Sequence, residues 1–261
     1  MPGIGLGTWQ NTDPETCKNS VKKALEIGYS HVDTAQVYDN EQYVGEGLEA
    51  ADVDREDFFL ASKVWIDQLS PENVRTSTER SLEKLGVDKV DLMYVHWPSG
   101  SYDAVKTLNA MQSLVEQGMA DSIGVSNFTV EQLDKAMEVA GEDIVAHQVE
   151  MHPLLQQQEM VEKCREHGIE LVAYSPLARG KVMEIDVLKD IAGKHGVSPA
   201  QVSLAWLINE KEVKAIPKAS SKQHIRENFE AVDLQLDSED VNRIEGLERE
   251  ERLIDPGFAP W

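Results

Sequence analysis

Apolar runs of strand length alternate along this chain with longer stretches in which apolar residues return every three or four positions. The strand-like runs are IGLGTW (4–9), HVDTA (31–35), FFLASKVW (58–65), VDLMYVHW (90–97), DSIGVSNF (121–128), AHQVEMH (146–152), ELVAYSPL (170–177) and VKAIPKA (213–219). Helical patterns lie between and after them at 13–27, 41–50, 71–85, 103–117, 129–140, 157–167, 198–209 and 221–230. Ser70 before Pro71, Thr129 ahead of Glu131, and Ser198 before Pro199 read as helix caps. Gly28, Gly86, Gly118 and Gly168 mark helix exits. Eight strand–helix units without a linker or a low-complexity stretch predict an α/β fold, a single (β/α)8 TIM barrel over residues 1–261. Two further helical stretches, 186–195 and 238–248, break the alternation and read as additions to the barrel.

A chain of 261 residues, 41% of them hydrophobic, can fill one such core. No apolar run approaches the roughly 20 residues of a membrane span, and the opening MPGIGLGTWQ has neither a basic stretch nor a long apolar core, so a cytoplasmic location is expected. Cys17 and Cys164 fall in separate helical patterns without ligand-like spacing, which predicts free thiols and no metal site.

Charge changes the picture more. Asp and Glu total 47 against 25 Lys and Arg, a net charge of −22, which argues against nucleic acid or an anionic membrane as partner. Any cation that meets an anionic cofactor has to be placed locally. Self-repulsion of this size is better tolerated where salt screens it, so one reading is a salt-rich cytoplasm and the other simply an acidic surface. Melting curves at low and molar salt decide between them.

The architecture that competes with a barrel is an open dinucleotide-binding sheet, whose mark is G-x-G-x-x-G between a strand and a helix. Here Gly3, Gly5 and Gly7 alternate in GIGLGTW and the third is misplaced, so the fingerprint is absent.

Four residues stand just past or at the ends of successive strand-like runs: Asp33 and Tyr38 in HVDTAQVYDNE, Lys63 in FFLASKVW and His96 in VDLMYVHWP. In a parallel barrel those ends share the rim that carries the chemistry. A tyrosine ordinarily loses its proton near pH 10, so it is a poor acid at neutrality unless a cation stabilises its phenolate. Lys63 can supply that cation, and Asp33 can keep Lys63 charged in a buried place. His96 can donate to the substrate oxygen. Each residue alone passes as packing, and their joint placement is what points to general acid catalysis at a carbonyl.

The motifs GLGTW, VDTAQVYDNE, SKVW, VDLMYVHWP, IGVSNF, HQVEMHP, AYSPLARG and IPKA followed by IRENF make the chain resemble an aldo-keto reductase along nearly its whole length. It is most similar to the small prokaryotic branch that includes 2,5-diketogluconate and methylglyoxal reductases. The resemblance implies NAD(P)H-dependent reduction of aldehydes and ketones without metal or flavin, with Asp33, Tyr38, Lys63 and His96 as the catalytic four and Tyr38 as proton donor. It also implies that Ser126, Asn127 and Gln148 hold a nicotinamide carboxamide and that Tyr174 stacks on its ring. Ser175, Leu177 and Arg179 would face the pyrophosphate. A carboxamide needs a donor and an acceptor in register, which Asn and Gln provide.

At the adenosine end the resemblance aligns Lys218 with a lysine that contacts the 2′-phosphate, and Glu227 and Asn228 with residues near the adenine. The chain departs from the pattern where many members carry an arginine, which here is His224, and where a serine often follows the lysine, which here is Ala219. A histidine is mostly neutral at pH 7 and lacks the guanidinium fork. With Lys218, Ser220 and Lys222 nearby, NADP(H) is the expected cofactor, with NAD(H) less strongly rejected. Trp9, Trp65 and Trp97 match pocket-lining positions. Short loops and a short tail after Leu253 predict an open mouth suited to small or polar aldehydes, α-dicarbonyls and keto sugars. A monomer is expected. The alternatives are a nucleotide-binding barrel with a regulatory or structural role, and an isomerase or Schiff-base aldolase on the same fold.

Overall fold

The computed structural model describes residues 1–211, 213–247 and 249–261. Among the described residues eight parallel strands stand side by side in chain order: β1 (Leu6–Gly7), β2 (His31–Asp33), β3 (Phe59–Val64), β4 (Val90–Val95), β5 (Ala120–Ser126), β6 (Ile144–Glu150), β7 (Glu170–Tyr174) and β8 (Lys214–Ala215). The sheet closes on itself at the β8–β1 seam. Gly5 N donates to Ala215 O at 2.8 Å, Ala215 N to Gly3 O at 2.9 Å and Gly7 N to Pro217 O at 3.1 Å. A Cβ on Gly7 would come within 2.6 Å of the Ile216 carbonyl oxygen, so the seam needs glycine there. β1 and β8 are shorter than IGLGTW and VKAIPKA predict, because the chain at the seam pairs through single bridges rather than a continuous ladder.

The helices are α1 (Pro14–Ile27), α2 (Glu41–Ala50), α3 (Pro71–Leu85), α4 (Ala104–Glu116), α5 (Val130–Ala140), α6 (Gln158–His167), α7 (Asp186–His195), α8 (Pro199–Ala205), α9 (Lys222–Glu230) and α10 (Ser238–Glu245). α7 and α10 are the two additions the sequence singles out. Glu248, in the predicted stretch 238–248, lies outside the described residues. Thr129 and Ser198 cap α5 and α8 in reciprocal boxes with Gln132 and Gln201. Ser70 is the N-cap residue of α3, which starts on Pro71 as the sequence reading has it, but the Ser70 hydroxyl makes no capping hydrogen bond; the Ser70 carbonyl accepts from Val74 N at 2.9 Å. The predicted helix 198–209 widens into a π turn at Trp206–Glu210, and the Trp206 side chain there is fully buried. Among the described residues no helix is long and apolar enough to cross a membrane.

Two apolar shells hold this frame. Ala61, Leu92, Tyr94, Ala146, Val172 and Ile216 fill the barrel lumen, and a larger set packs the outer face of the sheet against the helices. Side chains alternate along a strand, so the lumen positions continue upward in steps of two. From Ala61 the next is Lys63; from Tyr94 it is His96; from Ala146 come Gln148 and Glu150; and from Val172 comes Tyr174. The packed floor therefore fixes which polar residues reach the rim.

Candidate active site

Lys63 is the centre of the rim. Its ammonium is fully buried, ion-paired to Asp33 Oδ1, and donates to Thr34 O at 2.8 Å and to the Tyr38 hydroxyl oxygen at 3.4 Å. Those three partners use its three protons. Because the Tyr38 oxygen accepts from Lys63, its own O–H is left to point elsewhere, and Tyr38 lines a cavity of about 400 Å³ with Asp33 and His96. The His96 ring meets Tyr38 edge-on at 5.8 Å and Trp65 at 5.1 Å. All four residues drawn from the sequence thus converge, from β2 and the turn after it, β3, and the residue after β4.

Burial sets the charge states. It pushes the Tyr38 hydroxyl well above its ordinary value, and the Asp33 charge adds to the effect, so Tyr38 holds its proton at neutral pH. It pushes His96 well below the ordinary value, reinforced by Lys63, so the imidazole is neutral. Burial also lowers Lys63 and raises Asp33, while each partner's charge pulls the other back toward an ion pair.

A supporting network escaped the sequence reading. Asn40 accepts from Thr34 Oγ1 at 2.9 Å and donates to the carbonyls of Thr8 and Asn11, tying the loop that carries Tyr38 to the loop after β1. Gln36 accepts from Trp65 N at 3.0 Å and donates to Ser81. Ser81 and Ser62 in turn hydrogen-bond Glu41, a carboxyl that burial pushes up. The short NE pair after Tyr38 was the available signal.

On the other wall, Asn127 adopts a positive φ of 62°, and its amide donates to His96 O and Ser126 Oγ, both at 3.0 Å. Its Oδ1 accepts from Tyr174 OH at 2.8 Å. Ser126 donates to Gln148 O at 2.8 Å, and Gln148 donates to Asp33 Oδ2 at 2.8 Å. Asn127, Gln148, Tyr174, Ser175 and Lys218 line the cavity. Ser126, Leu177, Ser220, His224, Glu227 and Asn228 stand outside its wall: Ser126 and Asn228 are buried, Leu177 packs on the core, and Ser220 and His224 are exposed. Glu227 accepts from Gln223 Nε2 at 2.7 Å. Both Asn127 N–H groups are engaged, so a nicotinamide carboxamide beside the Tyr174 ring would be met by the second Gln148 N–H and by the amide oxygens, with the exposed Lys218 beyond.

Trp9, Trp65 and Trp97 all line the cavity, and Arg179 lies over the Trp9 ring at 4.7 Å. The mouth is less open than the short loops suggest. The tail folds back over it, putting Ile254 and Pro256 in the wall and Phe258 edge-on to Trp65 at 5.8 Å and Trp97 at 5.4 Å.

A closed (β/α)8 barrel with a proton-holding tyrosine beside a buried lysine at its rim defines a carbonyl-reducing oxidoreductase of the nicotinamide-dependent kind. The profile of the Aldo/keto reductase family matches residues 3–249, and the chain belongs to that family. It is 42% identical to methylglyoxal reductase DkgB of Salmonella typhimurium, covering 100% of this chain and 98% of the relative. It is 39% identical to glyoxal reductase of Bacillus subtilis, covering 97% and 91%. Among solved structures it superposes on "a putative 2,5-diketo-D-gluconic acid reductase B" with a TM-score of 0.96 and 33% identity over 99% of this chain and 92% of that one.

Proposed function

We propose that this enzyme reduces small α-dicarbonyls, aldehydes and keto sugars with NADPH, and that Tyr38, Lys63, Asp33 and His96 carry the proton chemistry. The observation that carries the reading is the Lys63 ammonium held between Asp33 and the Tyr38 oxygen, behind an apolar cavity that Tyr38 and His96 face. The bound nicotinamide would supply the hydride that the carbonyl carbon receives. Tyr38 gives its proton to the carbonyl oxygen as negative charge develops there, and Lys63 stabilises the phenolate that remains. Asp33 keeps Lys63 protonated at its buried site. His96, neutral, offers an N–H to the same oxygen and orients the substrate. General acid transfer of this kind contributes about 10²- to 10⁴-fold.

Asn127 and Gln148 would receive the carboxamide, Tyr174 one face of the ring, and Lys218, with Ser220 and Lys222 close by in sequence, the 2′-phosphate. The carbonyl chemistry suits relatives named for methylglyoxal and glyoxal, and a 400 Å³ cavity suits substrates of that size or somewhat larger. We place the enzyme in the cytoplasm as a monomer. The test is consumption of NADPH and of NADH with methylglyoxal and a keto-sugar panel, in wild type and Tyr38→Phe. Turnover lost in the variant with cofactor binding retained supports the assignment. A variant that keeps half its turnover removes Tyr38 as donor, and a wild type that binds cofactor without turnover favours a regulatory barrel.

A further inference from the structure

Proton transfer as set out above leaves unused a second buried pair at the rim, Glu150 and His152, both with fully buried side chains. Glu150 closes β6, one lumen step above Gln148. Its Oε1 accepts from Leu253 N at 2.9 Å and pairs with His152 Nε2 at 3.1 Å, while Oε2 accepts from Ile254 N at 3.0 Å. Burial alone would raise this carboxyl, but the histidine and the two amides outweigh it and hold Glu150 below the usual range.

The donors belong to a segment with no strand or helix of its own. The neighbouring stretch after β6 docks the same tail and the helix that leads into it: Glu251 N donates to Leu154 O at 2.7 Å, and Gln156 Nε2 donates to Ile244 O in α10 at 2.9 Å. Immediately beyond the clamp, Ile254 and Pro256 enter the cavity wall, Phe258 covers Trp65 and Trp97, and Trp261 packs on Trp97 at 5.5 Å.

We infer that Glu150 is the positioning residue of the substrate wall: by fixing two consecutive amides of the tail, its carboxylate sets where Ile254 and Pro256 stand in the cavity. The inference rests on the reductase reading for its kinetics but not for its geometry. A carboxylate is needed because three donors converge on it. A glutamine offers one acceptor oxygen and turns an NH₂ toward an amide N–H. Misplacement of a wall by about 1 Å costs binding and orientation far more than it disturbs the fold.

The test compares wild type, Glu150→Gln, Leu253→Pro, which deletes one donor and leaves the carboxylate and His152 intact, and the double variant. The expected result is an about tenfold rise in KM for the carbonyl with kcat within about threefold and KM for NADPH within about twofold. Tryptophan emission should shift to the red as Trp65 and Trp97 lose the cover of Phe258, a readout that needs no turnover. The double variant should match the worse single one rather than compound the two effects, because both break one clamp. A folded Glu150→Gln with unchanged carbonyl KM and unchanged emission overturns the inference, as does a fall in kcat at constant KM. If Glu150→Gln does not fold, Leu253→Pro decides in the same way. A wild type without turnover but with the emission shifts in the variants sinks the reductase reading and leaves the clamp standing.

Discussion

Gln148 donates its side-chain amide to Oδ2 of Asp33 at 2.8 Å, so a residue facing the ring side of the cavity is bonded to the carboxylate that holds Lys63. Both oxygens of Asp33 are thereby satisfied at a fully buried site. Replacing Gln148 by Leu leaves one of them without a donor, at a cost of about 1–3 kcal/mol. We expect kcat at saturating cofactor to fall about tenfold and the melting temperature to drop by several degrees. Gln148→Glu should be worse, because it sets a like charge beside Asp33. If both variants keep wild-type kcat and change only KM for cofactor, the bond does not transmit to Asp33.

The pH profile follows from the burial of Tyr38 and His96. Tyr38 is raised, so the proposed donor stays protonated as pH climbs through neutrality, and His96 is lowered, so it stays neutral as pH falls toward its ordinary titration range. Reduction should therefore show a kcat nearly flat between about pH 6 and 9, with neither limb belonging to an ordinary histidine. Steady-state rates in a constant-ionic-strength buffer series check this. An acid limb centred near pH 6.5 that vanishes in His96→Gln would show that the imidazole titrates normally and that its burial is not what sets its state.

The rim residues were legible because a strand repeats every two residues. Once FFLASKVW and VDLMYVHW read as strands, Lys63 and His96 fall at their upper ends, and closure of the barrel brings them to Asp33 and Tyr38. Helix boundaries were legible from Ser70, Thr129, Ser198 and the C-terminal glycines, although the Ser70 hydroxyl makes no capping bond, because a serine before Pro-Glu marks the boundary whether or not its hydroxyl turns inward. The tail clamp was invisible for a different reason. Glu150 and Leu253 lie 103 positions apart, and nothing in the local pattern of HQVEMHP says what its glutamate holds. The tail's place in the cavity wall was missed with it, since a short tail can still fold back when a buried carboxylate receives its amides.

His31 and His147 are fully buried and neutral. Burial pulls both down to about 3, aided at His31 by Lys63 and the N-terminus. The unfolded chain protonates them near pH 6.5, so between about pH 6.5 and 3 it binds more protons than the native state, and stability is lost as pH falls. Each histidine contributes at most about 1.4 kcal/mol per pH unit over that window. His147 also accepts Phe128 N at 3.2 Å, an acceptor role a glutamine can take. In urea titrations from pH 4.5 to 7, His147→Gln should be less stable than wild type at pH 7 but lose stability less steeply toward acid. Parallel curves would mean that His147 does not drive the acid loss.

The proposed preference for NADPH over NADH can be tested at the start of α9. His224 is exposed in the first turn of α9, its backbone N–H bonded to Ser221 Oγ at 3.2 Å, and Lys218 is an exposed cation of the cavity wall two residues before Ser220. A histidine carries neither a permanent charge nor a guanidinium fork, so in the proposed NADPH complex Lys218 would meet the 2′-phosphate with little help from that side chain and against a net charge of −22. An arginine at this position adds a permanent charge and a fork that grips phosphate through two hydrogen bonds. His224→Arg should raise the ratio of kcat/KM for NADPH over NADH about tenfold, equivalent to about 1.4 kcal/mol, mostly through KM for NADPH. The gain should shrink in molar salt, which screens an exposed contact within about 3 Å. Lys218→Ala should move the ratio the other way. If the two substitutions leave it unchanged, the 2′-phosphate is not held at the start of α9, and the preference has to be set by another part of the rim.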